Sequence, residues 1–386
     1  MNNYNNRFYI PQFNINSMIY SNYIKYDRLL QMIIGEFRGT EDENCTDINI
    51  FIDLYSLMKN AYHRGDFQIH NDEIYALAAG VINMAAHYRA FFNTRLGVNT
   101  KIFIVSSFNN YKYLNAINPQ YKSKIEITGE KLEYFLQNIS TLSVLCPYLP
   151  NIYFKHYDYA TSAAAIRDIM GFNVKIGNKN PNVIITKDIL NYQLVNFKPV
   201  RTVVLRPKKS LDDDQSTSID TSYVINKHNL LHILIMERGK KSKLNQEEMR
   251  QRYQKIGEIN PELFSILLSI IGCPEYGYRS VLHTRIAIDV LHKIVVEDQM
   301  LLNQYNYNPL EMFRLISELS RTRKNINIVE LESRFRTLDT VYLYDQMQAI
   351  NMELMTKVPE DLYAPEMLKN INERFFKDNP LDLNVL

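Results

Sequence analysis

The chain has 386 residues, of which 46% are hydrophobic and 22% charged, so it is long enough to bury a sizeable core. A formal net charge of +2 excludes a polycation, and any face that binds nucleic acid must therefore be local. Three widely spaced cysteines exclude a disulfide framework and a cysteine-type zinc site, and the longest apolar run, residues 263–271, is about half of a membrane span.

The N-terminal residues, 1–46, are predicted to form an irregular or partly helical leader. They lack the basic and apolar regions of a secretory signal, so we expect a cytoplasmic or intravirion protein that is not secreted and does not enter a membrane. A bias towards Asn, Ile, Lys and Tyr, without any Trp, is typical of an AT-rich genome and suggests a virus or phage.

From residue 47 to residue 207, short apolar segments alternate with segments of helical period. The predicted strands are residues 49–52, 101–105, 151–157, 182–186 and 202–205. The predicted helices are residues 72–96, 130–137 and 161–170, with a short one that ends at 194. This alternation predicts an α/β fold with a central, mostly parallel sheet and helices on both faces.

The second half of the chain has a different pattern. Residues 208–222 are polar and are predicted to form a loop or small insertion, and the charged residues 239–254 are predicted to form a loop and then a helix. From residue 261 to the C-terminus the pattern is helical.

Three carboxylates follow predicted strands. Asp53 follows the first, Asp158 the third and Asp188 the fourth. Because the carboxyl ends of parallel strands share one edge of a sheet, these side chains can converge. Converging carboxylates repel each other unless a hard cation neutralises them, so the three acids are candidate ligands of Mg²⁺ or Mn²⁺.

Helix capping is the alternative explanation for each acid. Asp53 and Asp188 both precede helical segments, and a capping role accounts for them as well as a metal does. For Asp158, which precedes Thr161 and an Ala-rich helix, capping is favoured.

Five segments carry motifs in a shared order. They are the strand that ends at Asp53, residues 119–122 (Pro-Gln-Tyr-Lys), the helix start at Asp158, residues 186–195 (Thr-Lys-Asp-Ile-Leu-Asn-Tyr-Gln-Leu-Val) and residues 272–281. In this order and spacing they resemble the flap-endonuclease or 5′-nuclease family, which has a PIN-like fold.

The resemblance implies a site where two divalent ions activate water and stabilise the leaving oxygen of a phosphodiester. Of the family's acids, only Asp53, Asp158 and Asp188 are retained, and these three are the candidate catalytic and metal-binding residues. The other aligned positions carry uncharged residues, which are Ser106 or Ser107, Leu190, Cys273 and Tyr276. We therefore expect weak binding of Mg²⁺ or Mn²⁺ at most.

The resemblance also names candidate contacts to nucleic acid, with DNA favoured over RNA. Lys122 and Lys124 lie in the segment that contacts DNA phosphates in the family, and Arg279 and Arg285 flank a shortened helix–hairpin–helix element. Each could instead be an ordinary solvated charge. Basic residues near the edge of the sheet favour phosphate contacts.

The resemblance divides the chain into four parts. These are the leader (1–46), a PIN-like α/β domain (47–207), an insertion with the degenerate helix–hairpin–helix region (208–300) and a helical C-terminal extension (301–386).

Two functions follow as hypotheses. The first is a catalytically degenerate, 5′-nuclease-like protein that binds DNA or is a structural subunit of a replication, repair, transcription or virion assembly with other proteins. The second is a divergent metal-dependent 5′ nuclease, acting as a flap endonuclease, 5′–3′ exonuclease or RNase H-type enzyme. The retained acids favour the second hypothesis, and the joint loss of the others favours the first.

Overall fold

The fold is that of a computed structural model, which describes about half of the chain in several ranges. The described residues are 33, 47–54, 56, 76–107, 114, 116, 118, 130–157, 161–207, 222–226, 230, 263–293, 308–320, 326–343 and 345. Asp158, Lys122 and Lys124 lie outside these ranges, as do residues 239–254 and all of the leader except Ile33.

In the described part of the chain, six strands form one sheet. They are β1 (Asp47–Asp53), β2 (Asn99–Ser107), β3 (Ile152–Tyr157), β4 (Asn182–Ile185), β5 (Thr202–Pro207) and β6 (Ser222–Ile225). Their order across the sheet is β3-β2-β1-β4-β5-β6. The pairings from β3 to β5 are all parallel, and only β6 runs antiparallel to its neighbour. The mostly parallel sheet predicted from the sequence is therefore confirmed.

The centre of the sheet is buried on both faces. Ile50 and Ile52 of β1 point into one apolar cluster, and Phe51, between them, points into the other. A central parallel strand that is covered on both faces needs apolar side chains at consecutive positions, which explains the unbroken apolar run of β1.

Helices from the first half of the chain cover the two faces. They are α1 (Ala76–Leu96), α2 (Glu130–Leu145) and α3 (Ser162–Lys175). Side chains of α1 and α2 share a cluster with Ile50, whereas Ala163, Ala164 and Ala165 of α3 pack in the cluster of Phe51. Small side chains at these α3 positions let the helix approach the sheet closely.

Four described helices lie in the C-terminal region. They are α4 (Leu263–Ile271), α5 (Thr284–His292), α6 (Pro309–Leu319) and α7 (Ile328–Leu338). All residues of α4 are buried, and they belong to the same apolar cluster as Phe51 of the sheet. One apolar core therefore includes residues on both sides of positions 207 and 300. The domain boundaries that the sequence predicts at these positions stay predictions.

Differences from the predicted elements have local causes. Helix α2 extends to Leu145 through Ser140, Thr141 and Ser143, which are weak helix formers. The Thr141 hydroxyl donates to the Gln137 carbonyl at 2.9 Å within this extension. Helix α3 continues past Gly171 to Lys175. Strand β6 is a short edge strand. The sequence did not predict it, because it directly follows a polar segment. None of the described helices combines the length and apolar content needed to cross a membrane.

Candidate active site

The ends of β1 and β4 bring two of the three predicted acids together. Asp53 is the last residue of β1, and Asp188 follows the end of β4, which pairs directly with β1. The hydroxyl of Ser162 lies 3.1 Å from Asp53 Oδ2 and 3.3 Å from Asp188 Oδ2. The two carboxylates therefore share a neighbour at the carboxyl edge of the sheet, as the strand pattern predicts.

Asp53 is fully buried and surrounded by hydrogen-bond donors. Its Oδ2 accepts a hydrogen bond from Thr186 Oγ1 at 2.6 Å and another from Asn191 Nδ2 at 2.8 Å. Its Oδ1 accepts from the backbone N–H of Ser56 at 3.2 Å, the i to i+3 contact of a helix cap. The lone pairs of the carboxylate are thus largely engaged by neutral donors.

Burial changes the protonation of Asp53. Loss of solvent raises the pKa of this carboxyl from 3.8 to about 6, and the neighbouring Asp188 carboxylate adds to the rise. Hydrogen bonds from Thr186 and Ser56 oppose it by stabilising the charged form. Near neutral pH the carboxylate is ionised, at a cost in stability.

Asp188 caps a helix with one oxygen and binds a tyrosine with the other. Its Oδ1 accepts from the backbone N–H of Leu190 at 3.0 Å, which makes it the N-cap of the 3₁₀ helix Ile189–Asn196. Its Oδ2 accepts from the hydroxyl of Tyr276 at 2.6 Å. The capping role considered for Asp188 is confirmed.

Tyr276 approaches from the C-terminal half of the molecule. It ends the short 3₁₀ helix Pro274–Tyr276, which follows α4, and Gly277 after it has a left-handed backbone with φ of 81°. A phenol thus stands at one of the positions where the family motif has an acid, and its hydroxyl donates a hydrogen bond to Asp188. We call the whole set the carboxylate network, and its members are Asp53, Ser162, Thr186, Asp188, Asn191 and Tyr276.

The other positions where the family motif has an acid carry apolar side chains or side chains with nearby polar partners. Leu190 is fully buried in the apolar cluster on the α3 face. Ser106, at the end of β2, is buried with its hydroxyl 3.1 Å from His156 Nδ1, on the adjacent strand β3. Cys273 is buried and its thiol lies 3.4 Å from Glu275 Oε2.

The described residues do not by themselves fit a Mg²⁺ or Mn²⁺ centre. Mg²⁺ requires about six oxygen ligands in near-octahedral geometry. In the described part of the chain no cluster of three or more His, Cys, Asp or Glu residues could hold a metal. The amide of Asn191 and the hydroxyl of Tyr276 both direct protons at the carboxylates, where a cation would have to lie.

The third predicted acid, Asp158, lies outside the described residues, so its metal-binding and capping roles both stay predictions. The N-cap of α3 is Thr161, whose hydroxyl accepts from the backbone N–H of Ala164 at 3.2 Å.

The predicted nucleic-acid contacts are only partly described. Arg279 is exposed in the turn that carries Tyr276, and its carbonyl oxygen accepts from Arg334 Nη1 at 2.5 Å. Arg285 lies in α5, but its side chain is outside the described part, like Lys122 and Lys124. Of the four predicted cations, Arg279 alone has a described side chain, and it is exposed three residues after Tyr276 in the chain.

Sequence reasoning did not identify the donors of the network as site residues. Ser162 is the first residue of α3, and Asn191 follows the Asp188 cap by three residues, so a polar residue at each helix start is the signal that could have pointed to them. The sequence motifs identified Tyr276 only as a position where the family motif has an acid. Its contact with Asp188 joins positions 88 residues apart and has no local signal.

Comparisons with known proteins give structural matches only. No protein-family model matches the chain, and no curated protein matches it. The T5 D15 protein co-crystallised with metal ions is matched at 12% identity and a TM-score of 0.46, covering 84% of this chain and 98% of that one. The bacteriophage T5 D15 flap endonuclease, as a pseudo-enzyme–product complex with DNA and metal ions, is matched at 13% identity and a TM-score of 0.44, covering 85% and 99%.

A T5 5′-exonuclease mutant is also matched, at 13% identity and a TM-score of 0.40, with 88% of this chain and 98% of that one covered. Each of these matches has an identity of 13% or less and a TM-score below 0.5. The roles of residues in this chain follow from its own contacts.

Proposed function

We propose that this chain is a 5′-nuclease-like nucleic-acid-binding protein whose acidic site no longer catalyses cleavage. In this proposal it acts as a DNA-binding or structural subunit of a larger assembly in replication, repair, transcription or the virion. The observation that carries the proposal is the 2.6 Å hydrogen bond from Tyr276 to Asp188, which puts a neutral donor at a position where the family motif has an acid.

The carboxylate network is complete without a cation. Asp53 faces the donors Thr186 and Asn191, and Asp188 faces the Leu190 amide and the Tyr276 hydroxyl. Two-metal cleavage needs carboxylates that are free to ligate ions on both sides of the scissile phosphate. An entering cation would have to displace these donors, which supports a structural rather than a catalytic role.

Nucleic-acid binding is the function that can persist when the acidic site no longer catalyses cleavage. Phosphate contacts require exposed cations, and Arg279 is exposed and lies three residues after Tyr276 in the chain. We propose Lys122, Lys124 and Arg285 as further contacts on the basis of their motif positions. Because such contacts carry no base information, affinity should be independent of sequence.

Electrophoretic mobility shifts at several salt concentrations test the proposal. Single-stranded, duplex and 5′-flap DNA should all be retained at low salt, with an affinity that falls steeply as salt rises. Arg279→Ala and Lys122→Ala should each reduce the slope of log affinity against log salt by about one. Arg314→Ala, which removes an exposed arginine paired with Glu311 on α6, is the matched control and should leave the slope unchanged.

Absence of retention for all three DNA forms at low salt would overturn the binding proposal. The chain would then be better described as a structural subunit whose site is covered by a partner.

A divergent metal-dependent 5′ nuclease is the second candidate. It is favoured by one observation, the convergence of Asp53 and Asp188 on Ser162 at the carboxyl edge of the sheet. A cleavage assay separates it from the first candidate.

A further inference from the structure

Three aromatic rings form a continuous stack across neighbouring strands. The rings of Phe51 on β1 and Phe103 on β2 have centroids 4.9 Å apart and an interplanar angle of 16°. The ring of Tyr153 on β3 continues the stack at 5.1 Å and 17° from Phe103. Register pairing of Phe51 with Phe103 and of Phe103 with Tyr153 aligns the three side chains on one face of the sheet. We call this set the aromatic ladder.

The aromatic ladder begins in the core and ends at the surface. Phe51 is fully buried and Phe103 is 8% exposed, whereas Tyr153 is 47% exposed. In the described part of the chain β3 is the edge of the sheet, so no ring from a further strand stacks on the outer side of Tyr153. A rigid, preordered ring is therefore presented to solvent.

A cation follows this ring along the same face of β3. Lys155 is exposed and lies two residues after Tyr153, so its side chain projects from the same face of β3. Its ammonium lies 5.4 Å from the centroid of Tyr157, whose hydroxyl donates to Asp168 Oδ2 at 2.7 Å. An aromatic face followed by a basic group along one strand suits a flat, π-rich ligand that carries negative charge.

We infer that Tyr153 and Lys155 form a stacking site for a single-stranded nucleic acid, with a base on the outer face of the Tyr153 ring and a phosphate near Lys155. The inference rests on the nucleic-acid binding proposed above and names a strand-edge surface separate from the carboxylate network. Aromatic side chains stack on any base, so the site discriminates single strands from duplex rather than one sequence from another. The positive charge of Lys155 favours this occupant over an uncharged apolar partner.

Fluorescence anisotropy of the full chain with a labelled oligo(dT) and with a duplex of the same length tests the site. Tyr153→Leu should weaken binding of the single strand by about tenfold and leave duplex binding within about twofold. Tyr153→Phe keeps the ring and should bind as the wild type does. Lys155→Ala should weaken single-strand binding and reduce its salt slope by about one.

Tyr148→Leu is the matched control. This tyrosine is 53% exposed, and the structure shows no stacking of its ring on another described ring. Its loss should leave both affinities unchanged, and thermal melting of every variant should verify folding.

Several outcomes would overturn the inference. Equal single-strand binding by Tyr153→Leu and wild type would exclude the site while leaving the proposed DNA-binding function standing. A Tyr153→Leu variant that binds DNA normally but loses self-association in sedimentation would assign the surface to a protein contact instead. If the wild type binds neither strand form, both the site and the proposed function fail.

Discussion

At the scale of single residues, the main feature of the site is the phenol of Tyr276, at a position where the motif of the resembled family has an acid. An acid there would add negative charge beside Asp188 and require a cation, whereas the Tyr276 hydroxyl donates a hydrogen bond to Asp188. Asn191 does the same for Asp53 through its amide. The two buried carboxylates are therefore stabilised by dipoles within the protein.

The first prediction concerns the Tyr276 hydroxyl. Tyr276→Phe keeps the ring in the core but leaves Asp188 with one donor fewer, so the free energy of unfolding should fall by about 1.5–3 kcal/mol, the usual range for hydrogen bonds to charged groups. Urea denaturation measures this. Tyr148→Phe, at an exposed tyrosine, should change the value by less than about 0.5 kcal/mol. Equal stability of the two variants would mean that the Tyr276 contact contributes nothing.

The second prediction concerns the pH dependence that Asp53 imposes. The pKa of Asp53 is raised from 3.8 to about 6 on folding, so the folded state holds its proton more tightly than the unfolded state. Its contribution to stability is fully present below pH 4 and is lost as pH rises through about 6, a total of roughly 3 kcal/mol.

Urea denaturation at a series of pH values tests this sign. The free energy of unfolding that Asp53 contributes should fall between pH 4 and 6 in the wild type, and Asp53→Asn should lack this fall. The difference in free energy of unfolding between wild type and variant should therefore change over this range. A difference that stays constant over this range would contradict the raised pKa.

At the scale of secondary-structure elements, the turn between α4 and α5 positions Tyr276. The Val281 N–H donates to the Ile270 carbonyl at 2.9 Å, which folds the turn back on the end of α4. Gly272 makes this approach feasible because its φ is +86° and the Ser280 backbone nitrogen would lie 2.6 Å from an added Cβ. A local glycine thus determines where a distant side chain meets Asp188.

The third prediction compares two glycines. Gly177 has a similar φ of +82° but no atom within 4 Å of an added Cβ, so Gly177→Ala should cost only the backbone strain, about 1 kcal/mol. Gly272→Ala should cost about 1–3 kcal/mol more, because the methyl group collides with the backbone of the turn. Thermal or urea unfolding measures both, and equal losses would show that the turn relaxes freely.

The sequence was most informative about the strands. Apolar runs predicted β1 to β5, because buried parallel strands need apolar residues on both faces, and the strand ends correctly placed Asp53 and Asp188 at one edge. Helix ends were less predictable, since Thr141 and Gly171 are poor helix formers that the tertiary structure overrides. The donors of the carboxylate network could not be predicted from local patterns, because Tyr276 reaches Asp188 only in the folded chain.

At the scale of the whole molecule, one apolar cluster joins the sheet to the C-terminal helices. Phe51 of β1, Phe264 of α4 and Leu338 of α7 all belong to it. Gln193 strengthens the same junction, since its amide donates to the Leu338 carbonyl at 2.6 Å and accepts from the Thr340 N–H at 3.2 Å. The carboxylate network lies at this junction, so its hydrogen bonds act on the stability of the whole fold.

The fourth prediction concerns metal ions and stability. A ligand that binds only the folded state stabilises it by RT ln(1 + [L]/Kd), so the melting temperature rises with ligand concentration. Because neutral donors already satisfy Asp53 and Asp188, millimolar Mg²⁺ or its removal by EDTA should leave the melting temperature unchanged. A saturable increase with Mg²⁺ that Asp188→Asn abolishes would show that the site binds the ion.

The most direct measurement is cleavage of 5′-flap and nicked duplex DNA by the wild type and by Asp53→Asn, in Mg²⁺ and in Mn²⁺. The proposal that the carboxylate network has replaced the catalytic centre predicts that the wild type binds flap DNA but yields no more product than the variant with either metal. Metal-dependent product from the wild type that is lost in Asp53→Asn would contradict it and identify the chain as an active 5′ nuclease.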